Sequence, residues 1–481
     1  MNKKIANGLS WSFFEKILTE AIVFIITVVL SRILLPDDYG VISLISIFIT
    51  IFQVFIGSGL GSALIQKKNP SDADYSTALT VNFCMGAMLY LILFFAAPYI
   101  AAFFENEQVC PVLRVIALQI PISSIYNIQT AHIQKSMQFK KLFFASLGGT
   151  VASGVVGIAM AYMGFGVWAL VMSTLGNLVV DAIVLAIASR WFPKPGFSKR
   201  SFKGLSSFGW KILVADLINK LYDQLRSVFI GKKYTGADLA YNSKAQKLPV
   251  QLIDAVNSTM IRVMFPAMSE VQDEREKLRK MSKWLIKMIS FCLYPLMVGM
   301  AVTAPVFIPL VFTENWVGCV PYMQIYCVTY LVQPMQSVNI KSIQAMGRSD
   351  ITLKLEVIKK IFGVVTIVLS IVLFNSPLAV AASYLVVTFF STIVNVIPCK
   401  KLCGYGFLDE IRDMLPSMLL SFAMGIVVFL IGLINMDLLP KLALQVLSGG
   451  IIYIGLAKLF KVKELDAILS FIKEKKNAGR K

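Results

Sequence analysis

Chemistry in this chain is concentrated where lipid would be expected. The stretch Trp210 to Arg226, WKILVADLINKLYDQLR, carries Lys211, Asp216, Lys220, Asp223 and Arg226 within apolar surroundings. At helical spacing, Asp216, Asn219, Lys220, Asp223 and Arg226 share roughly a third of the circumference. A charge at the bilayer centre costs about 2.5–3.5 kcal/mol, so Asp216, Lys220 and Asp223 facing lipid would cost on the order of 8–10 kcal/mol. They must face protein or water. Lysine and arginine meet phosphate through charge-assisted hydrogen bonds, and a buried carboxylate can carry a proton. The expected chemistry is therefore binding of an anionic group, with an acid available for ion coupling.

Further stripes extend the same idea. Lys244, Lys247, Gln251, Asp254, Ser258 and Arg262 fall on roughly an 80° arc of one helix. Ser12, Lys16, Glu20, Thr27 and Ser31 lie within about 100° on the first. Ser43, Ser46, Thr50, Gln53 and Gly57 line the second, and Gln333, Gln336, Asn339 and Lys341 mark another. The candidate substrate-binding cations are Lys16, Lys211, Lys220, Arg226, Lys247, Arg262 and Lys341. Candidate cavity or ion-coupling acids are Glu15, Glu20, Asp216, Asp223 and Asp254, for a proton or a sodium ion. Two alternatives stay open: i+3 and i+4 pairing could neutralise the charges within each helix, and Ser and Gln stripes could join helices.

The elements that must position these groups follow from composition. The 481 residues are 57% hydrophobic and 15% charged, against about 25% charged in soluble domains. The mean hydropathy is +0.72. Apolar segments near 11–34, 39–61, 77–103, 112–134, 142–163, 167–189, 207–231 and 239–265 read as spans. Others lie near 284–312, 319–346, 354–374, 378–398, 415–434 and 442–460, about fourteen in all at roughly 20 residues each. The fold class is an all-α polytopic membrane protein with no room for an extramembrane catalytic domain.

Net charge is +19, but the bases cluster in alternate short loops: Lys67 and Lys68, Lys140 and Lys141, Arg275 to Lys283, Lys400 and Lys401. That is the positive-inside pattern and not a nucleic-acid surface, and it places both termini in the cytoplasm. Lys232 and Lys233 depart from it. The run 269–283 reads as a solvated connector, and 473–481 as a basic tail near anionic lipid. The single histidine, His132, reads as a helix-end residue; with it, the seven scattered cysteines suggest neither a metal site nor disulfides. No cofactor is expected, and no catalytic motif points to an enzyme.

The two halves look related. Glu15-Lys16-Ile17-Leu18 is echoed by Trp210-Lys211-Ile212-Leu213, and IPISSIYNIQTAHIQ by VQPMQSVNIKSIQ, with Pro121 near Pro334. Two six-helix bundles related by a pseudo-two-fold axis along the membrane normal are expected, 1–196 and 197–400, followed by two further helices and the tail, 401–481. The loop 190–206 reads as a hinge-like linker. A shared polar space at the interface would be net cationic.

RILLPDDYGVISL (32–44), HIQKSMQFKKL (132–142) and GFGVWALV (164–171) resemble the Wzx-like polysaccharide-export flippases of the multidrug/oligosaccharidyl-lipid/polysaccharide (MOP) superfamily, nearest the colanic-acid and teichuronic-acid exporters. The resemblance implies a V-shaped central cavity with the last two helices outside. It also implies movement of an undecaprenyl-diphosphate-linked oligosaccharide across a bacterial cytoplasmic membrane by alternating access, with Lys16 and Arg262 near a lateral portal. The basic residue often found in the sixth helix of such proteins has no match here, where Asp181 is the only mid-helix charge. A multidrug antiporter of the same superfamily and a membrane-embedded glycan polymerase are the competing readings. The first should have a more acidic cavity, the second a large outside loop.

Overall fold

Backbone groups in hydrocarbon must find partners within their own segment, so apolar runs of this length fold as helices. The structure, a computed structural model, describes residues 3–57, 59–67, 69–136, 138–189, 191, 194–468 and 470, and every regular element there is helical. The basic run 473–481 lies outside the described residues. In order come α1 (Lys3–Ile33), α2 (Pro36–Gly57), α3 (Leu60–Gln66), α4 (Asp72–Phe104), α5 (Val109–Ile116), α6 (Gln119–Lys135), α7 (Phe139–Tyr162), α8 (Val167–Ser189) and α9 (Lys199–Lys233). Then follow α10 (Gly236–Glu270), α11 (Arg275–Phe312), a 3-10 turn at Glu314–Trp316, α12 (Cys319–Tyr330) and α13 (Gln333–Ala345). The last are α14 (Ser349–Phe374), α15 (Pro377–Cys403), α16 (Phe407–Gly432) and α17 (Leu438–Leu459).

Among the described residues, ten helices are long and apolar enough to cross a membrane. The helices α9, α10 and α12–α13 are not among them. These include the segments whose polar stripes stand out in the sequence, so the polarity that marks them also lowers their hydropathy.

Three expected spans are broken. The fourth divides into α5 and α6, and the tenth into α12 and α13. Proline has no N–H and clashes with the carbonyl four residues back. Pro121 thereby disrupts the helix at Ala117, just past α5, and Pro334 does so at Tyr330, where α12 ends. The second divides at Gly57 and Gly59 into α2 and α3.

The run 269–283 is largely exposed, as a solvated connector should be, and from Arg275 onward it forms the first turns of α11. There Lys283 pairs with Asp413 at 3.1 Å and Arg279 reaches Asp409 at 3.8 Å. The described part of the 190–206 linker is tied to neighbouring helices. The Gly196 N–H donates to Thr80 Oγ1 and the Ser198 N–H to Thr77 Oγ1, each at 3.0 Å, pinning the segment to α4. Trp191 stacks on His132 at 3.9 Å, and Ser198 caps α9.

The helices form two units, Met1–Ala240 and Tyr241–Lys481. In the first, α7 lies between α1 and α8, α4 packs on α6, and α9 runs along α2, α3 and α4. Leu64, Ala78, Leu79 and Ile128 form one of its cores. In the second, α11 packs on α16, α12 and α17, and α15 on α14, α12 and α13. Leu285, Ile289, Tyr294, Met335 and Val396 sit in its core.

Local geometry repeats along the chain. The Leu35 N–H donates to Asp38 and the Thr235 N–H to Asp238, both at 3.2 Å, so the carboxylates that start α2 and α10 play one role. At the ends of α6 and α13, the Gln138 N–H bonds the Ile133 carbonyl and the Arg348 N–H the Ile343 carbonyl.

Candidate functional site

Close contacts at glycines hold α9 near residues 209 and 231 and leave the stretch between them open. At Gly59 and Gly209 a side chain on the latter would lie 2.9 Å from the Gly59 carbonyl. At the other end, a side chain on Gly40 would meet the Gly236 carbonyl at 2.5 Å, and one on Gly231 would meet Leu44 at 2.4 Å. Where the opposing atoms are backbone, as at Gly59 and Gly236, only glycine permits approaches this close.

Between these contacts α9 shows two exposed faces. Trp210, Val214, Ile218 and Leu221 form an apolar one, each 41–57% exposed. On roughly the opposite side lie Asp216, Lys220 and Asp223. Lys220, Asp223 and Asn219 are exposed, while Asp216 and Arg226 are half-buried. Among the described residues no ion pair joins Asp216 to Lys220. One face suits acyl chains and the other needs water or a polar ligand.

The uncharged stripe of α2 is used partly inside the first unit. Gln53 Nε2 donates to Gln119 Oε1 of α6 at 3.2 Å, while Ser46 stays exposed. On α1, Glu20 is exposed, and the Glu15 and Lys16 side chains lie outside the described residues, as do those of Lys211 and Arg262. Asp181 is buried in α8, its carboxylate against the backbone at Gly149 of α7.

In the second unit, α10 exposes Lys247 and Asp254. Lys244 leaves that stripe: its ammonium lies 3.5 Å from the centre of the Trp316 ring and 4.3 Å from that of Phe312. Such stacking replaces lost hydration with attraction to the ring faces. Lys341 donates to Gln344 at 2.9 Å and lies 5.3 Å from the Phe265 ring centre. The rest of the α13 stripe joins helices. Gln336 Nε2 donates to the Thr388 carbonyl at 2.7 Å and to Thr392 Oγ1 at 3.1 Å, and Asn339 is fully buried. Asn257 of α10 donates to Ser337 of α13 at 3.1 Å.

The sequence-derived residues thus fall into an α9 group, Asp216, Lys220, Asp223 and Arg226, an α10 group, Lys247 and Asp254, and the separate Lys341. Lys232, out of place by the loop pattern, bonds Glu105 at 2.7 Å. That hydrogen bond holds the Glu105 carboxyl below its ordinary range. Buried Glu410 and Asp413 of α16 drew no attention in the sequence, because charges in the first turns of an apolar helix read as an interface. Among the described residues no group of three or more His, Cys, Asp or Glu gathers to hold a metal.

The helix succession and the open charged helices define a multi-pass membrane protein with the fold of MOP-superfamily transporters. The lipid II flippase MurJ, in an inward closed conformation, superposes with a TM-score of 0.74 at 15% identity, covering 95% of this chain and 98% of MurJ. An inward-facing multidrug resistance MATE family transporter gives 0.61 at 13% identity, covering 83% of this chain and 95% of its own. The family described as "Polysaccharide biosynthesis protein" matches residues 29–321, and this chain belongs to it. Relatives include the Escherichia coli lipopolysaccharide biosynthesis protein WzxC, 24% identical with 89% of each chain covered. The Bacillus subtilis teichuronic acid biosynthesis protein TuaB is 23% identical, with 95% of each covered.

Proposed function

We propose that this protein is a flippase that carries a polyprenyl-diphosphate-linked oligosaccharide across the cytoplasmic membrane for surface-polysaccharide assembly. The observation that carries the reading is the charged face of α9, with Lys220 exposed to a diphosphate and Arg226 half-buried beside it, set opposite an apolar face. Glycan and diphosphate are too polar for hydrocarbon, while the polyprenyl tail is not. A carrier must therefore offer a polar route beside a lipid-facing surface. Family membership supports this substrate class. Lys247 and Lys341 supply further positive charge, and Asp216, Asp223 and Asp254 space the cations and offer a place for a coupling ion. Two six-helix bundles working by alternating access would expose such a face to each side in turn.

The test is export in a strain lacking its own flippase. Lys220→Ala and Arg226→Ala proteins should insert normally yet reduce surface polymer by about tenfold or more, the scale of one lost charge-assisted hydrogen bond. Val214→Ala, on the apolar face, should export as the parent does. Full export by both charge variants would refute the reading. Intact export accompanied by altered drug resistance would favour the antiporter.

A further inference from the structure

Glu410, in the first turn of α16, has no solvent exposure at all. One carboxylate oxygen, Oε2, accepts from Asn339 Nδ2 of α13 at 3.1 Å. Its other oxygen, the Asn339 side-chain oxygen, and both amide atoms of Asn395 on α15 are buried without a hydrogen-bond partner. Asn339 is 0% exposed and Asn395 1%.

These atoms share one level of the second unit. Gln336 bonds Thr388 and Thr392, and further along Met346 meets Cys403, so α13 and α15 run in the same direction. Three residues on, a rise of about 4.5 Å, Asn339 is level with the turn that ends at Asn395. Val338, Val396, Cys399 and Met414, the last one turn past Glu410, pack into one buried cluster. Carboxylate and amides therefore lie, all buried, at the level where α13, α15 and α16 converge.

Nearby cations are committed elsewhere. Lys283 and Lys287 lie 3.1 and 3.5 Å from Asp413, which also accepts from the Tyr405 hydroxyl at 2.8 Å. Arg279 reaches Asp409, and Arg275 donates to the Lys401 carbonyl. A carboxylate removed from water needs neutralising, and buried amide oxygens need partners. A proton on Glu410 would satisfy that carboxyl and at most one amide oxygen. A cation can accept lone pairs from Glu410 and both amide oxygens together. Hard oxygen donors suit alkali and alkaline-earth ions, and one carboxylate among neutral amides balances a single positive charge. We propose that Glu410, Asn339 and Asn395 form a binding site for one small monovalent cation, sodium foremost.

The test uses purified full-length protein in lipid nanodiscs and needs no transport, so it stands or falls apart from the flippase reading. At constant ionic strength set with choline, sodium should raise the unfolding temperature saturably, by about 2–4 °C. Potassium should do so less. Glu410→Gln should abolish the response, and Asn395→Leu should weaken it even if the glutamine variant fails to fold. Radiolabelled sodium should bind the parent at one saturable site and bind Asn395→Leu at least about tenfold more weakly. A sodium response unchanged in Asn395→Leu would overturn the proposal. So would a parent protein indifferent to sodium whose stability rises only as pH falls, which would identify a protonated Glu410.

Discussion

Lys244 and Lys247 stand one turn apart on α10, have the same chemistry, and end up in different roles. Lys247 is exposed, while Lys244 lies against Trp316 and Phe312. Replacing Lys244 with Gln should lower stability by about 1–2 kcal/mol, the scale of a desolvated cation–π contact. Lys247→Gln should leave it unchanged, as thermal unfolding in detergent can measure. Glu105 and Lys232 allow a second check at this scale. Their hydrogen bond depresses the carboxyl's folded-state pKa, so its small stabilisation is present above the unfolded value of about 4.3. It is lost as pH falls through the lower folded value. Glu105→Gln should therefore unfold slightly earlier than the parent at pH 7, converge with it in acid, and show a smaller gap at high salt. Charge spacing on a helix was legible in the sequence. The aromatic partner of Lys244 was not, because Trp316 is distant in sequence and only folding brings it near.

At the scale of elements, glycine contacts let α2 approach α9 and α10 closely. A methyl on Gly40 would meet the backbone of Gly236, which has no side chain to move aside. Gly40→Ala should cost about 1–3 kcal/mol through overpacking. Gly61→Ala, with nothing within 4 Å of the new carbon, should be neutral or slightly stabilising. Urea titration of the two variants distinguishes these outcomes. Apolar runs made the helices legible before any coordinates. The breaks at Ala117 and Tyr330 could also have been read, since each lies four residues before a proline. What stayed hidden was how polar side chains divide their work. Gln336 and Lys341 belong to one stripe by spacing, yet Gln336 ties α13 to α15 while Lys341 bonds within its own helix. Periodicity gives a direction from the helix axis and says nothing of which neighbour stands there.

For the whole molecule, the critical property is that α9 carries an exposed charged face and an exposed apolar face over the same turns, which the proposed route would set against water and lipid. Ile218 and Lys220 are two residues apart in sequence and both exposed, on different sides of the helix. Thiolate forms in water and not in hydrocarbon, so reactivity of an introduced cysteine reports which side meets water. In a protein whose seven cysteines have been replaced, Lys220→Cys and Asp223→Cys should react with a membrane-impermeant maleimide. Val214→Cys and Ile218→Cys should resist it, although both positions are exposed in the protein alone. If the wet face opens alternately, adding lipid-linked substrate should change which side of the membrane labels Lys220→Cys while leaving Val214→Cys silent. Protection of both polar positions from both sides would mean that the charges pair among themselves in a closed helix contact. A carrier route along α9 would then be ruled out.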